Sequence, residues 1–224
     1  VLILFSPNIL AHQIGTISQW NGSYGINYIG EPGSATATYG QTFSVSTPSL
    51  ITSWDFWLSN HSSSPQPNVQ FDVYLMDWVG DRAGTNILFK KQGLLVPPSP
   101  RGEFHDISFA LPDIKLEANK EYVMLLNTSN YGTFGPSYQA ASLAAIPASS
   151  NAYSGGDFWY QASYNLFSNV YNFPWSCANE GNGCRYGDAA FSATILPIKT
   201  VPIPATFWLF SAVLSLLAGR KRFR

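Results

Sequence analysis

The polar and apolar positions of this chain alternate with period two over much of its length. From Ser49 to Asn60, Leu50, Thr52, Trp54, Phe56 and Leu58 form one set, and Ile51, Ser53, Asp55 and Trp57 the other. Val69 to Trp78 repeats the pattern, with Val69, Phe71, Val73 and Leu75 against Gln70, Asp72 and Tyr74. A pleated strand points successive side chains to opposite faces, so this spacing predicts strands with one buried face. Ala35 to Val45 is rich in Thr, Tyr, Phe and Val, and Phe104 to Leu111 alternates through Ile107 and Phe109. Leu116 to Glu121 reads as a tight turn into Tyr122 to Leu126, and Asp188 to Ile195 as a closing strand. Between these lie breakers: HSSSPQPN, a polar turn over Val79 to Asn86 before extended chain resumes at Ile87 to Lys91, and PPSPRG. There is no internal repeat and no long helical pattern before the C-terminus. Short strands at this spacing predict an all-β fold, a single antiparallel β-sandwich over about Ser34 to Ile195.

Two stretches escape the pattern. Tyr131 to Ala152 is small and mixed, without alternation. Phe158 to Trp175 is crowded with Phe158, Trp159, Tyr160, Tyr164, Phe167, Tyr171, Phe173 and Trp175. These rings either fill a core between sheets, with Tyr and Trp edges hydrogen-bonded, or form a surface on which sugar rings stack. The second reading makes Trp159, Tyr160, Tyr164, Tyr171 and Trp175 the candidate sugar contacts, and requires several of them exposed and coplanar.

The last residues are of another kind. VPIPA leads into TFWLFSAVLSLLAG, and RKRFR follows. The part compatible with a helix, Thr206 to Gly219, would cover about 21 Å at ~1.5 Å per residue, short of a hydrocarbon core of ~30 Å. Val201 to Ala205 must contribute to any span, and its prolines lack the N–H groups a helix uses. The segment therefore reads as a marginal transmembrane helix, with Arg220, Lys221, Arg222 and Arg224 holding its end on the cytoplasmic side. The competing reading is a buried C-terminal helix of the globular body.

This tail resembles the C-terminal sorting signals of the PEP-CTERM class, above all the VPxPA variants. Val201, Pro202, Pro204 and Ala205 match the motif position by position, with Ile203 where Glu is common. The resemblance implies an exosortase-type processing enzyme as partner. It also implies a membrane-anchored precursor and delivery to the envelope or extracellular polysaccharide of a Gram-negative bacterium. TYGQTF, WDFWLSN, FDVYLMDWVG and LPDIKLEANKEYVMLL resemble the jelly-roll-like domains of exported bacterial proteins, which implies a fold and not an activity.

Export makes sense of the N-terminus. Val1 to Gln13, VLILFSPNILAHQ, reads as the end of a secretory signal peptide, although an N-terminal strand has similar composition. The organisation expected is thus a leader over 1–13, a sandwich over 14–196 and a sorting signal over 197–224, its helix at about 206–219. Outside the cytoplasm Cys177 and Cys184 read as a disulfide closing a short Gly- and Asn-rich loop.

Charge narrows the partners. The chain has formal net charge −1, but four of its 12 basic residues lie in the last five positions. The body is therefore mildly acidic, which argues against nucleic acid as a partner. Only 11% of residues are charged, a composition that suits an extracellular β-protein.

No catalytic motif appears: G-x-S-x-G, H-E-x-x-H and Gly-rich phosphate loops are all absent from the sequence. His12, His61 and His105 sit in unrelated contexts. Asp77, Asp81 and Asn86 could ligate calcium, but the spacing suits a solvated turn better. Asp55, Asp72, Asp157 and Asp188 could supply a glycosidase pair only if the fold brought two together. The sequence thus leads to a non-catalytic exported β-sandwich protein without cofactor. A carbohydrate-binding module stands as the alternative, and a secreted hydrolase ranks behind it.

Overall fold

A computed structural model describes residues 10–30, 36–60, 69–97, 100, 102–131, 141–147, 152–162, 166–177 and 186–198. Its strands are β1 (His12–Gly15), β2 (Gly25–Ile29), β3 (Thr38–Ser44), β4 (Ser49–Asn60), β5 (Val69–Val79) and β6 (Arg82–Val96). They continue as β7 (His105–Leu116), β8 (Glu121–Asn127), β9 (Ala141–Pro147), β10 (Phe158–Gln161), β11 (Tyr186–Ala189) and β12 (Phe191–Pro197). One short helix, α1 (Asn169–Asn172), follows β10.

All pairings are antiparallel, and the strands form two sheets. In the first, β4 lies between β12 and β7, β1 flanks β12, and the end of β4 meets β9, which also pairs with β2 and β11. The second has the order β10-β3-β8-β5-β6. The sheets pack face to face, as in a sandwich. Phe43 of β3 lies 5.0 Å from Trp54 of β4, and Trp54 stacks on Phe191 of β12 at 4.7 Å. Tyr122 of β8 and Ile51, Leu58 and Leu75 complete this core. Burying side chains of this size is the main force holding the sheets together, at ~1.5–3 kcal/mol each.

The simple alternation along β4 is interrupted. Ser53 pairs with Thr194 and Ile51 with Ile195, so Thr52 has no ladder partner. The ladder with β7 shifts at the same point. This bulge moves Ile51 to the buried face with Trp54, Phe56 and Leu58, while Leu50 and Thr52 stay half-exposed. One inserted residue reverses which parity points inward, because the side-chain period is two.

β5 differs from its expected half-buried form. Val69, Phe71, Val73 and Leu75 face the main core, but Tyr74, Met76 and Trp78 are buried as well. Their face belongs to a second apolar cluster with Val123, Leu125, Val170 and Trp175. The polar turn expected over 79–86 shrinks to a hairpin at Gly80 and Asp81, where Gly80 has φ 66° and β6 starts at Arg82. Glycine adopts that left-handed conformation without a Cβ penalty.

A strand also occupies the stretch that showed no alternation. The first six residues of β9 are all buried, and four of them are Ala or Ser. A strand covered on both faces has no polar parity to display. The single closing strand expected over 188–195 divides at Ala190: β11 pairs with β9 and β12 with β4. Finally, His12 and Gln13, the last two residues of the expected leader, are rungs of β1, opposite Ile195 and Thr194.

Candidate functional site

The aromatic stretch folds over the outer face of the second sheet. β10 adds the edge strand beside β3, and a bridge joins Tyr160 to Ser176. The chain between carries α1 beside β6, and its Val170 joins the apolar cluster on β5 and β8. Trp175 is 4% exposed, its indole N–H donates to the Val170 carbonyl at 2.6 Å, and its backbone N–H donates to Asp81 O at 2.8 Å. Trp78 meets Trp175 edge-on at 86° and Trp159 at 46°, while Phe167 stacks on Tyr74 at 4.2 Å. Gly40 of β3 makes room for this cover, since a Cβ there would lie 2.8 Å from Trp175.

These rings therefore pack as a core. Trp159, Tyr160 and Tyr171 are half-buried, and the planes are crossed, unlike a flat sugar-stacking surface. Placing Trp175 among exposed sugar contacts is corrected by its burial and its two hydrogen bonds. Tyr164 lies outside the described residues.

Two buried carboxylates are the most elaborated polar centres, and they do different work. Asp72 of β5 is fully buried and accepts hydrogen bonds from Asn130 Nδ2 (2.8 Å), Gly93 N (3.0 Å), Tyr74 Oη (3.1 Å) and Gln92 Nε2 (3.2 Å). The hydroxyl of Tyr131 donates to it as well. Burial alone would raise its pKa, but the donors from Tyr131, Asn130, Gly93 and Gln92 prevail and hold it below the ordinary value. The same carboxylate and burial raise the pKa of Tyr74. This centre ties β5, the β6 bulge at Gly93 and the turn after β8 into one unit.

Asp188 of β11 is also fully buried. Its Oδ1 accepts from Gln41 Nε2 at 3.0 Å, and its Oδ2 from the N–H groups of Ala152 (3.1 Å) and Tyr153 (3.0 Å). Burial pushes its pKa up to about 6, with the three donors opposing and repulsion from Asp157 adding. Asp157 is raised by burial too. Of the four candidate acids, these two are near enough to repel, but both oxygens of Asp188 already accept structural donors. Sequence spacing had no means of pairing Gln41 with Asp188, or Asp72 with Tyr131, because each contact joins elements far apart in the chain.

The remaining candidates are dispersed. Asp77 forms an ion pair with Lys120 at 3.1 Å and Asp81 with Arg82 at 2.9 Å, so the proposed calcium loop is engaged in local contacts. Asn86 reaches Asp77 only at 3.5 Å. Asp55 lies on β4 opposite Ser192 and Ser108. His12 and His105 open β1 and β7, in different parts of the first sheet, and His61 lies outside the described residues. Among the described residues no group of three His, Cys, Asp or Glu side chains could hold a metal ion.

Cys177 follows the Tyr160–Ser176 bridge, and Cys184 lies outside the described residues. The sorting motif Val201, Pro202, Pro204 and Ala205 and the cations Arg220, Lys221, Arg222 and Arg224 lie outside them too. Among the described residues no helix is long and apolar enough to cross a membrane. In comparisons with known proteins, no family model and no curated protein sequence matches the chain.

Proposed function

We propose that this chain is an exported, non-catalytic β-sandwich protein, retained in the membrane and then processed through a C-terminal signal of the VPxPA type. The observation that carries the reading is the order of features over 201–224: a proline-braked VPIPA, an uncharged apolar run and a terminal basic cluster. Two prolines disfavour a helix through the motif, and an extended backbone is what a processing enzyme can bind. The apolar run is too short for comfortable permanent anchoring. Exosortase-type processing then delivers the body to the envelope or the extracellular polysaccharide.

The body suits that destination. Its all-β architecture buries Trp54, Tyr74, Tyr122 and Trp175, and its buried carboxylates join strands. Connections that pass from one sheet to the other, β3 to β4 and β7 to β8, support a jelly-roll-like reading of the sandwich. In an oxidising compartment Cys177 and Cys184 pair, closing a short loop worth ~2–3 kcal/mol in the chain-entropy account.

The test is mass spectrometry of the mature C-terminus in a host carrying the matching exosortase. Cleavage near VPIPA is expected. A matrix-associated form that still ends in Arg224 overturns processing.

A further inference from the structure

The place where the chain leaves the sandwich fixes which end of the body can meet a membrane. β12 ends at Pro197 opposite Ser49, and the N–H of Ile198 donates to Pro48 O at 2.8 Å. Ser49 also pairs with Leu116, and Ser44 with Glu121. The exit therefore lies at the end where connections 45–48 and 117–120 join the two sheets. That end is internally braced. Asn119 N donates to Val45 O at 2.8 Å, and Glu117 N to Tyr122 Oη at 2.8 Å. Lys120 Nζ lies 3.1 Å from Asp77 and 3.5 Å from Glu117.

The tether beyond this end is short. Lys199 and Thr200 alone separate Ile198 from the VPIPA motif, about 7 Å at full extension. On the sorting-signal reading, with Arg220 at the cytoplasmic boundary, a helix over 206–219 would cover ~21 Å of a ~30 Å hydrocarbon core. The missing ~9 Å needs about three extended residues, which places the opposite boundary near Pro202. The few residues left between Pro202 and Ile198 span no more than ~14 Å, and the headgroup layer takes up about half of that.

We propose that in the tail-bearing precursor this end of the sandwich rests on the lipid headgroups, with connections 45–48 and 117–120 as the contact surface. The proposal rests on the sorting-signal reading of the tail and adds an orientation for the body. The chemistry of the surface fits. Ser46, Thr47, Pro48, Glu117 and Asn119 are exposed, and no large apolar side chain is exposed in either connection. Hydroxyl, amide and carboxylate groups beside Lys120 match the phosphates and ammonium groups of a zwitterionic surface and would not enter hydrocarbon. Of the large apolar side chains that are exposed, Ile87, Leu166 and Phe173 belong to β6 and the segment around α1, whereas Val79 stands at the β5–β6 turn, at this same end of the second sheet, where Asp77 pairs with Tyr122 and with Lys120.

The experiment places a spin label at Thr47→Cys, or at Gln70→Cys as a control, in the full chain with its native cysteines oxidised. Gln70, the second residue of β5, lies at the opposite end of the sandwich. Protein is reconstituted into vesicles of the zwitterionic lipids phosphatidylethanolamine and phosphatidylcholine, and collision with a water-soluble relaxation agent is measured. The label at Thr47 is expected to be shielded several-fold relative to that at Gln70. A flexible ten-residue insertion after Ile198 should abolish the difference while leaving the protein in the vesicles. Protein that sediments with vesicles but shows equal exposure at both sites overturns the proposed orientation alone. Protein that fails to associate with vesicles overturns the sorting reading and the orientation with it.

Discussion

Gln41 and Asp188 stand 147 positions apart in the chain, yet Gln41 Nε2 lies 3.0 Å from Asp188 Oδ1 in the buried space between the two sheets. Gln41 Oε1 meanwhile accepts from Ala189 N at 2.8 Å, which fixes the orientation of the amide. Burial between the sheets outweighs the three neutral donors to Asp188 and raises its folded pKa to about 6. Ordinary aspartate titrates near 3.9, so between about pH 4 and 6 the folded state holds a proton that the unfolded state has released. Stability from this group is greatest below pH 4. It falls by ~1.4 kcal/mol for each pH unit as the pH rises to about 6. Chemical denaturation of the body across that range should show the decline, and Asp188→Asn should flatten it. An unchanged pH profile in Asp188→Asn would show that another group governs it.

The sequence displayed strands wherever one face was wet and hid them wherever both were dry. Ser49 to Asn60 was legible as a strand, but Thr52 reversed the parity of Ile51, since a bulge leaves no mark in composition. Ala141–Pro147 was illegible because partners and covering chain on both sides leave small buried residues without alternation. The aromatic stretch announced apolar packing but not its address. Only the fold shows that it covers Tyr74, Met76 and Trp78 on the outside of the second sheet. Asp72 looked like one polar position of an alternating strand. Its donors Gln92, Gly93, Asn130 and Tyr131 come from elements whose proximity depends on strand order.

Asp72 should respond to acid in the opposite sense to Asp188. Its folded pKa lies below the ordinary value, so it stabilises the fold above about pH 4 and that contribution is lost as pH falls further. Asp72→Ala removes the common acceptor of five donors and leaves several of them without a buried partner. The expected loss is about 1–3 kcal/mol for each donor left buried without a partner. Amide exchange should accelerate first at Gly93 and around 129–131. Retained protection there would mean that the donors find other acceptors.

Trp175→Ala separates the structural role of the aromatic cover from a sugar-binding one. The substitution empties a site that is 4% exposed and removes the bond to Val170 O. A loss of ~3–5 kcal/mol in denaturant unfolding is expected. Trp159→Ala, which removes a half-buried ring, should cost less. If soluble glycans protected the wild-type body thermally and Trp159→Ala abolished that protection without unfolding it, the carbohydrate-binding reading would regain its case.

β1 covers the outer edge of β12, which bears on where a leader could end. His12, Gln13, Ile14 and Gly15 pair in sequence with Ile195, Thr194, Ala193 and Ser192. The chain then turns inward. Thr16 N donates to Phe191 O at 2.9 Å, Thr16 Oγ1 donates to Ala189 O at 2.5 Å, and Phe191 N donates to Thr16 Oγ1 at 3.1 Å. At Gly15 φ is 147° and a Cβ would lie 2.2 Å from Phe191 O, so this crossing requires glycine. A leader removed after Gln13 would strip two rungs from the edge and expose the end of β12. One removed after Ala11 would keep all four and leave a small residue at the end of the leader. If the chain is exported behind a leader as proposed, N-terminal sequencing of the mature protein should therefore begin at His12. Recombinant body lacking 1–11 should unfold at the same temperature as body that starts at Leu10. Removing 1–15 deletes the strand, and each net backbone hydrogen bond contributes about 0.5–1.5 kcal/mol, so a loss of a few kcal/mol is expected. Equal stability of the two truncations would mean that β1 adds nothing to the fold, and the leader could then end anywhere before Thr16.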